Sequence, residues 1–477
     1  MDNIFTSSNI FKNMIWRFSE RILAQAVTFV VSVILARKLT TADFGNVALL
    51  MVFIDIANVF VIHGFSTALV QKKNPDNEDF STVLYFSFAV ALMFYGVCYL
   101  CAPFLETFGD SSLPHLFRVL ALRIPLASIN SVQHSYAQKK LLFKKFFFST
   151  LYGTIISAFI GIYMAFNGFG AWSIVAQYLV NSLIDTLVLY FTLEWKPIKC
   201  FNWKRLKELI GFGWKMLCSQ LVHVIYKRMS VFVIGVRYTI EDIAFYEQGN
   251  KIPGIVETNI DSTINAVLFP VMSNIQDDID RMKYYIRRSI QLSGLLIWPL
   301  MIGLASISDN VIRIIYTDKW LPAAPFMILA CFKLGLEPIQ TANLQAIKAI
   351  GKSGLYLRLE IIKKLYGIIS IIVASKYGVY IIAIASASQS LFSLLLNGIF
   401  NIKLFKYSVK EQAKDIYENL ISSLLMGFVV LSINKYLDCG IMELLIEIFA
   451  GAIIYFMIIY FFFPNRYLFL KNALRKH

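Results

Sequence analysis

The chain has 477 residues, 57% of them hydrophobic and 16% charged, and its 45 Lys and Arg against 30 Asp and Glu leave a net charge of +15. A mean hydropathy of +0.63 is far too apolar for a soluble domain of this length. The basic surplus lies in short gaps between apolar runs, not on a face or in a tail, which argues against a nucleic-acid partner and for loops retained on the cytoplasmic side.

A hydrocarbon core about 30 Å thick is crossed by roughly 20 helical residues, and only a backbone that closes its own hydrogen bonds survives there. Runs of that kind are predicted at Ile15–Ala36, Phe44–Leu69, Thr82–Leu105, Leu113–Gln133, Phe146–Phe166 and Ala171–Leu193. A second set lies at Phe212–Val236, Ile243–Met272, Ser289–Ala305, Ala323–Ile347, Leu355–Ser375 and Val379–Ile402. With Asn419–Tyr436 and Ile441–Phe463 the count is about fourteen. Gaps rich in Lys and Arg alternate with poor ones. The rich set includes Lys72 and Lys73, Lys139 and Lys140, and Arg287 and Arg288. It is assigned to the cytoplasm, and an even number of spans puts both termini there. No small-residue cleavage site follows the first span, so that span is expected to direct insertion itself. The cysteines read as small apolar filler.

Residues 1–195 are predicted to form one lobe of six spans and residues 212–403 a second. Between them, residues 196–211 read as an amphipathic cytoplasmic linker, with Phe201, Trp203, Leu206 and Leu209 set among basic residues. Residues 404–477 carry two peripheral spans and a cytoplasmic tail. Ala36–Phe44 and Gly235–Ile243 resemble each other as a basic residue, a Thr and an acid ahead of a helix, the mark of a parallel repeat.

An ionisable group at the centre of a bilayer costs about a few kcal/mol, so such groups pair or face a cavity. Arg17, Arg21, Arg118, Arg123, Lys215 and Lys251 exceed what pairing requires and favour an anionic passenger in a water-filled passage. For Arg17 and Arg21, snorkelling to the headgroups is the alternative. Asp55, Glu257 and Asp261 are candidates for a coupling ion, H+ or Na+. Glu257 and Asp261 share a helix face at i, i+4, and pairing with cavity bases is the other reading.

Several strings resemble a known family. Leu35–Gly45 (LARKLTTADFG), Ala68–Lys73, Gln138–Lys145, Phe269–Ser273 and Ile312–Trp320 match, in order, turns of the Wzx-like polysaccharide transporters. These belong to the multidrug/oligosaccharidyl-lipid/polysaccharide flippase superfamily. Tyr316-Thr317 and Ala244–Gln248 depart from the family pattern. The resemblance implies an all-α integral membrane protein with a MATE/MurJ-like arrangement: two six-helix lobes around a V-shaped cavity, plus two C-terminal helices. It implies export of a polyprenyl-diphosphate-linked oligosaccharide across the bacterial cytoplasmic membrane for capsule, O-antigen or another surface polysaccharide, without a cofactor or catalysis. Arg17, Arg21 and Lys251 then take the diphosphate, beside Arg118, Arg123 and Lys215. Asn130, Gln133, Gln220, Asn265, Gln340 and Asn343 take sugar hydroxyls. Glycosyltransferases or a polymerase are the expected protein contacts, beside membrane lipid. The competing readings are a cation-coupled drug antiporter of the same superfamily and, in another class, a membrane polymerase or glycosyltransferase.

Overall fold

The computed structural model describes residues 7–63, 65–72, 75–108, 111–434, 440–464 and 466, and every regular element among them is helical. Contacts divide the chain into two compact units, Met1–Ile243 and Ala244–His477. The first holds α1 (Ser7–Lys38), α2 (Thr41–Asn58), a π-helical turn (Val59–His63), α3 (Phe65–Gln71) and α4 (Asn77–Cys101) with a 3-10 tail (Ala102–Phe108). It continues with α5 (Leu113–Leu120), α6 (Arg123–Lys139), α7 (Phe143–Phe166), α8 (Ala171–Thr192) and α9 (Trp203–Arg237). α7 packs on α1 and α8, α6 on α4 and α8, and α9 on α2 and α3. Leu50, Ile54, Leu113, Leu120 and Ile124 sit fully buried in the core. Because α9 packs on these helices, the unit boundary falls after it and not in the connector before it.

α10 (Ile240–Ser273) begins at the boundary. Beyond it come α11 (Ile279–Ser306), α12 (Ser308–Ile315), a 3-10 turn (Asp318–Ala323), α13 (Ala324–Gly335) and α14 (Glu337–Ala349). α15 (Ser353–Ala374), α16 (Val379–Phe405), α17 (Val409–Asn434) and α18 (Ile441–Phe462) complete the second unit. α11 packs on α13, α14 and α17, and α17 on α18. The Tyr455 hydroxyl of α18 donates to the Leu295 carbonyl of α11 at 3.0 Å, tying the last helix down.

Two predicted spans are broken by proline. A proline ring clashes with the carbonyl four residues back and supplies no N–H. Pro125 therefore breaks the helix near Ala121, which separates α5 from α6, and Pro338 does the same near Leu334, between α13 and α14. Eleven stretches among the described residues are long and apolar enough to cross a membrane, not fourteen. The segment 113–139 and the helices Ile240–Ser273 and Ser353–Ala374 fall short because they are broken or carry the polar groups. Helical they are, but too hydrophilic to count by composition.

The internal repeat has a physical content. Thr40 Oγ1 accepts from the Asp43 N–H at 3.2 Å while Asp43 Oδ2 accepts from the Thr40 N–H at 2.9 Å. Thr239 and Asp242 make the same exchange at 3.2 and 3.1 Å. Each is a reciprocal cap that satisfies two otherwise orphaned N–H groups. The two turns also meet, since Gly45 lies so close to Ile240 that a Cβ there would sit 2.0 Å from its carbonyl oxygen.

Candidate functional site

One face of α6 is polar along its length except at Ala127. Arg123, Ala127, Asn130, Ser131, His134, Ser135 and Gln138 recur every three or four residues, which stacks them into one stripe. At 1.5 Å per residue the stripe runs about 22 Å. It walls a cavity of about 700 Å³ inside the first unit, lined also by Asn181, Ser182 and Asp185 of α8 and by Asn58, Ile62 and Ser66 around the π turn. π turns recur at functional sites because the extra residue re-aims neighbouring side chains.

The charges in this cavity are few and distinct. Asp185 Oδ2 accepts from Asn130 Nδ2 at 2.9 Å and lies 2.9 Å from His134 Nε2. The His134 ring is fixed edge-on to Phe146, centroids 4.2 Å apart. The Arg123 guanidinium stacks 5.1 Å from the centre of the Tyr178 ring and aims Nη1 at the Met51 sulfur, 3.6 Å away. Among the described residues no carboxylate pairs with it. Beside the apolar Ile62, Val70 and Ala127, the rest of the lining is amide and hydroxyl, groups that donate and accept as sugar hydroxyls do. Lys139 is used otherwise: its ammonium donates to the carbonyls of Val70 and Lys72 at 2.9 and 2.5 Å, at the C-terminal end of α3.

Of the residues singled out from sequence, Arg123 and Asn130 are the ones in this cavity. Gln133 is buried and turned toward α8, donating to the Thr186 carbonyl at 3.2 Å. Arg118 lies over the Tyr99 ring, 4.7 Å from its centre. Arg21 is exposed on α1, and Gln220 is half-buried on α9. The side chains of Arg17 and Lys215 lie outside the described residues. Asp55 receives Nε and Nη2 of Arg228 at 2.8 and 2.6 Å, an ion pair between α2 and α9.

In the second unit Lys251 is half-buried on α10, one turn after Glu247. Glu257 accepts from the Thr258 hydroxyl at 3.2 Å. Asp261 accepts from Asn265 at 2.8 Å, and Asn265 in turn meets Gln345. Gln340 donates to Ser390 at 2.8 Å. Asn343 is fully buried, donating to Gln412 at 3.1 Å and accepting from Asn401 at 2.6 Å. These last contacts cross-link helices.

Sequence reading places His134 among the polar groups of the fourth span, beside Arg123 and Asn130, but misses Asp185, Asn181 and Asn58 as members of the same site. A signal was present for Asp185, the lone charged residue of Ala171–Thr192. An isolated ionisable group in a span is a site candidate by default.

The sequence profile of a family described as "Polysaccharide biosynthesis protein" matches residues 34–325, more than half of the chain. The chain belongs to this family. The match takes in every residue of the cavity. The chain is 24% identical over 347 residues to the succinoglycan biosynthesis transport protein ExoT of Rhizobium meliloti (strain 1021), covering 72% of this chain and 70% of that one. It is 22% identical over 420 residues to the teichuronic acid biosynthesis protein TuaB of Bacillus subtilis (strain 168), with 86% of each covered. Its fold is similar to that of the lipid II flippase MurJ in an inward closed conformation, with a TM-score of 0.75 and 18% identity over 95% of this chain and 99% of that one. The chain is thus an all-α, multi-pass membrane protein with a cavity of polar lining built into its first unit.

Proposed function

We propose that the protein is a flippase that moves polyprenyl-diphosphate-linked oligosaccharide units across the bacterial cytoplasmic membrane by alternating access, for surface-polysaccharide biosynthesis. The observation that carries this reading is the cavity of polar lining among apolar helices, with the Arg123 guanidinium, which no carboxylate among the described residues pairs, at one end of its α6 wall. Sugar hydroxyls and phosphates lose their solvation in hydrocarbon, and a protein that moves them must supply replacement hydrogen bonds. Amides and hydroxyls do so for the sugar, and Arg123 does so for the phosphate through charge-assisted bonds. No covalent bond changes, so the contribution of the chain is solvation and access.

Two relationships support the reading. One relative is named for transport in succinoglycan biosynthesis, and a protein of similar fold is named for flipping lipid II. In this assignment Arg123 and Asn130 contact substrate, with Arg21 as a further basic contact, while Arg118 and Gln133 serve packing. Asp185 with His134 replaces Asp55 as the place where a coupling proton or Na+ acts, because Asp55 is held by Arg228. The charge bias of the gaps supports termini on the cytoplasmic side.

The test is reconstitution into vesicles with a polyprenyl-diphosphate trisaccharide carrying a fluorophore on its terminal sugar. A membrane-impermeant reductant bleaches only the outer leaflet. The protein should let bleaching proceed past about half of the signal, as expected when inner-leaflet molecules cross. Bleaching that stops at half, for several trisaccharides of different charge, would overturn the assignment.

A further inference from the structure

The connector between α8 and α9, together with the first two turns of α9, has two faces of opposite character. Toward the protein, Trp195, Leu206 and Leu209 are buried, and the Trp195 ring packs with those of Phe80 and Tyr136. Backbone N–H groups of Ile198 and Asn202 donate to the hydroxyls of Ser81 and Thr82 in α4 at 3.0 and 3.2 Å. The acids at this end of α4 are already neutralised. Arg205 reaches Asp76, Glu78 and Asp79 at 2.6, 2.8 and 3.3 Å, and Lys72 holds Asp79 at 2.6 Å.

The outward face is the reverse. Ile198, Phe201 and Trp203 are 43%, 48% and 64% exposed. Lys199, Lys204 and Lys207 around them are exposed too, and none has a carboxylate partner among the described residues. Glu208, the acid of this turn, lines a small pocket with Gln71 and Lys72. The segment joins the apolar stretches Ala171–Thr192 and Met216–Arg237, so it sits where the chain leaves the bilayer. Aromatic rings beside lysines suit the headgroup zone, and an uncompensated cluster of lysines suits anionic lipid in particular. An acidic protein surface would match the lysines but not the three exposed apolar side chains.

We propose that residues 196–207 form a docking surface for anionic phospholipid headgroups, with Phe201 and Trp203 at the boundary of headgroup and acyl chain and Lys199, Lys204 and Lys207 on the lipid phosphates. Because Arg205 and Asn202 tie the same segment to the start of α4, the lipid contact also holds that helix end in place. The inference does not depend on which molecule the cavity carries.

The experiment uses the full chain in vesicles of phosphatidylcholine containing about a fifth of brominated lipid, either brominated phosphatidylglycerol or brominated phosphatidylcholine. Emission of the wild type minus that of Trp203→Phe isolates the Trp203 signal. Brominated phosphatidylglycerol should quench it roughly threefold more than brominated phosphatidylcholine, with the excess shrinking as salt is raised. The excess should vanish in K199Q/K204Q/K207Q and persist in K199R/K204R/K207R, which also controls for folding. Equal quenching by both lipids would overturn the proposal. So would an excess that survives the Gln variant, or no quenching at all, the result expected if a protein partner or water covers the face.

Discussion

Arg123 carries the charge that most needs explaining, because a guanidinium without a carboxylate is expensive in a membrane unless water or an anion reaches it. Arg123→Gln should slow transport about 10- to 100-fold, the loss of one charge-assisted hydrogen bond. Arg123→Lys should recover part of this, since it keeps the charge but not the flat stacking on Tyr178. Initial rates at equal amounts of folded protein decide the point. Asp185→Asn should also lower the rate, because Asn130 and His134 lose the carboxylate charge that orients them. Asn343 belongs to a different category. It links Asn401 to Gln412 through two buried side-chain hydrogen bonds, so Asn343→Ala strands buried polar groups and should cost about 1–3 kcal/mol of stability. Its transport per folded molecule should stay near wild type, and a thermal unfolding curve beside the rate assay separates the two effects.

The capped helix starts were the most legible features at the scale of elements. The similarity of Ala36–Phe44 to Gly235–Ile243 marked two Thr/Asp caps, and the structure pairs them with nearly identical distances. Their direct meeting at Gly45 and Ile240 was not legible, since a contact across about two hundred residues leaves no local pattern. Gly45→Ala drives a methyl group into a backbone carbonyl and should lower stability by about 1–3 kcal/mol or more. Gly96→Ala, with nothing within 4 Å of the new Cβ, serves as the control. The end of α4 makes a pH prediction. The Arg205 guanidinium holds Asp76 below the usual carboxylate range. A depressed carboxylate contributes fully above its ordinary range and is lost only as the pH falls through the lowered value. Asp76→Asn should therefore reduce thermal stability by an amount that stays constant between about pH 5 and 8.

For the whole molecule, composition and the alternation of basic gaps were enough to read an all-helical membrane protein, and the strings around Leu35–Gly45 were enough to read its family. The count of about fourteen spans is not confirmed by length and apolarity, which pick out eleven among the described residues. A break such as that between α5 and α6, and charged helices such as α10 and α15, have the reach of a span without its apolarity. The cavity was half legible. Periodicity puts Arg123 and Asn130 on one stripe, but only the packing of α6 on α8 shows that Asp185 completes it and that Gln133 faces away. The account rests on that cavity being wet and occupied by the sugar-bearing lipid. Asn181→Cys, in a chain whose native cysteines are replaced by serine or alanine, places a thiol on its wall. In vesicles, a membrane-impermeant maleimide should label this thiol, and polyprenyl-diphosphate oligosaccharide should slow the labelling while polyprenyl phosphate without sugar does not. A thiol that never reacts, or one that reacts equally fast with both lipids, would contradict the account.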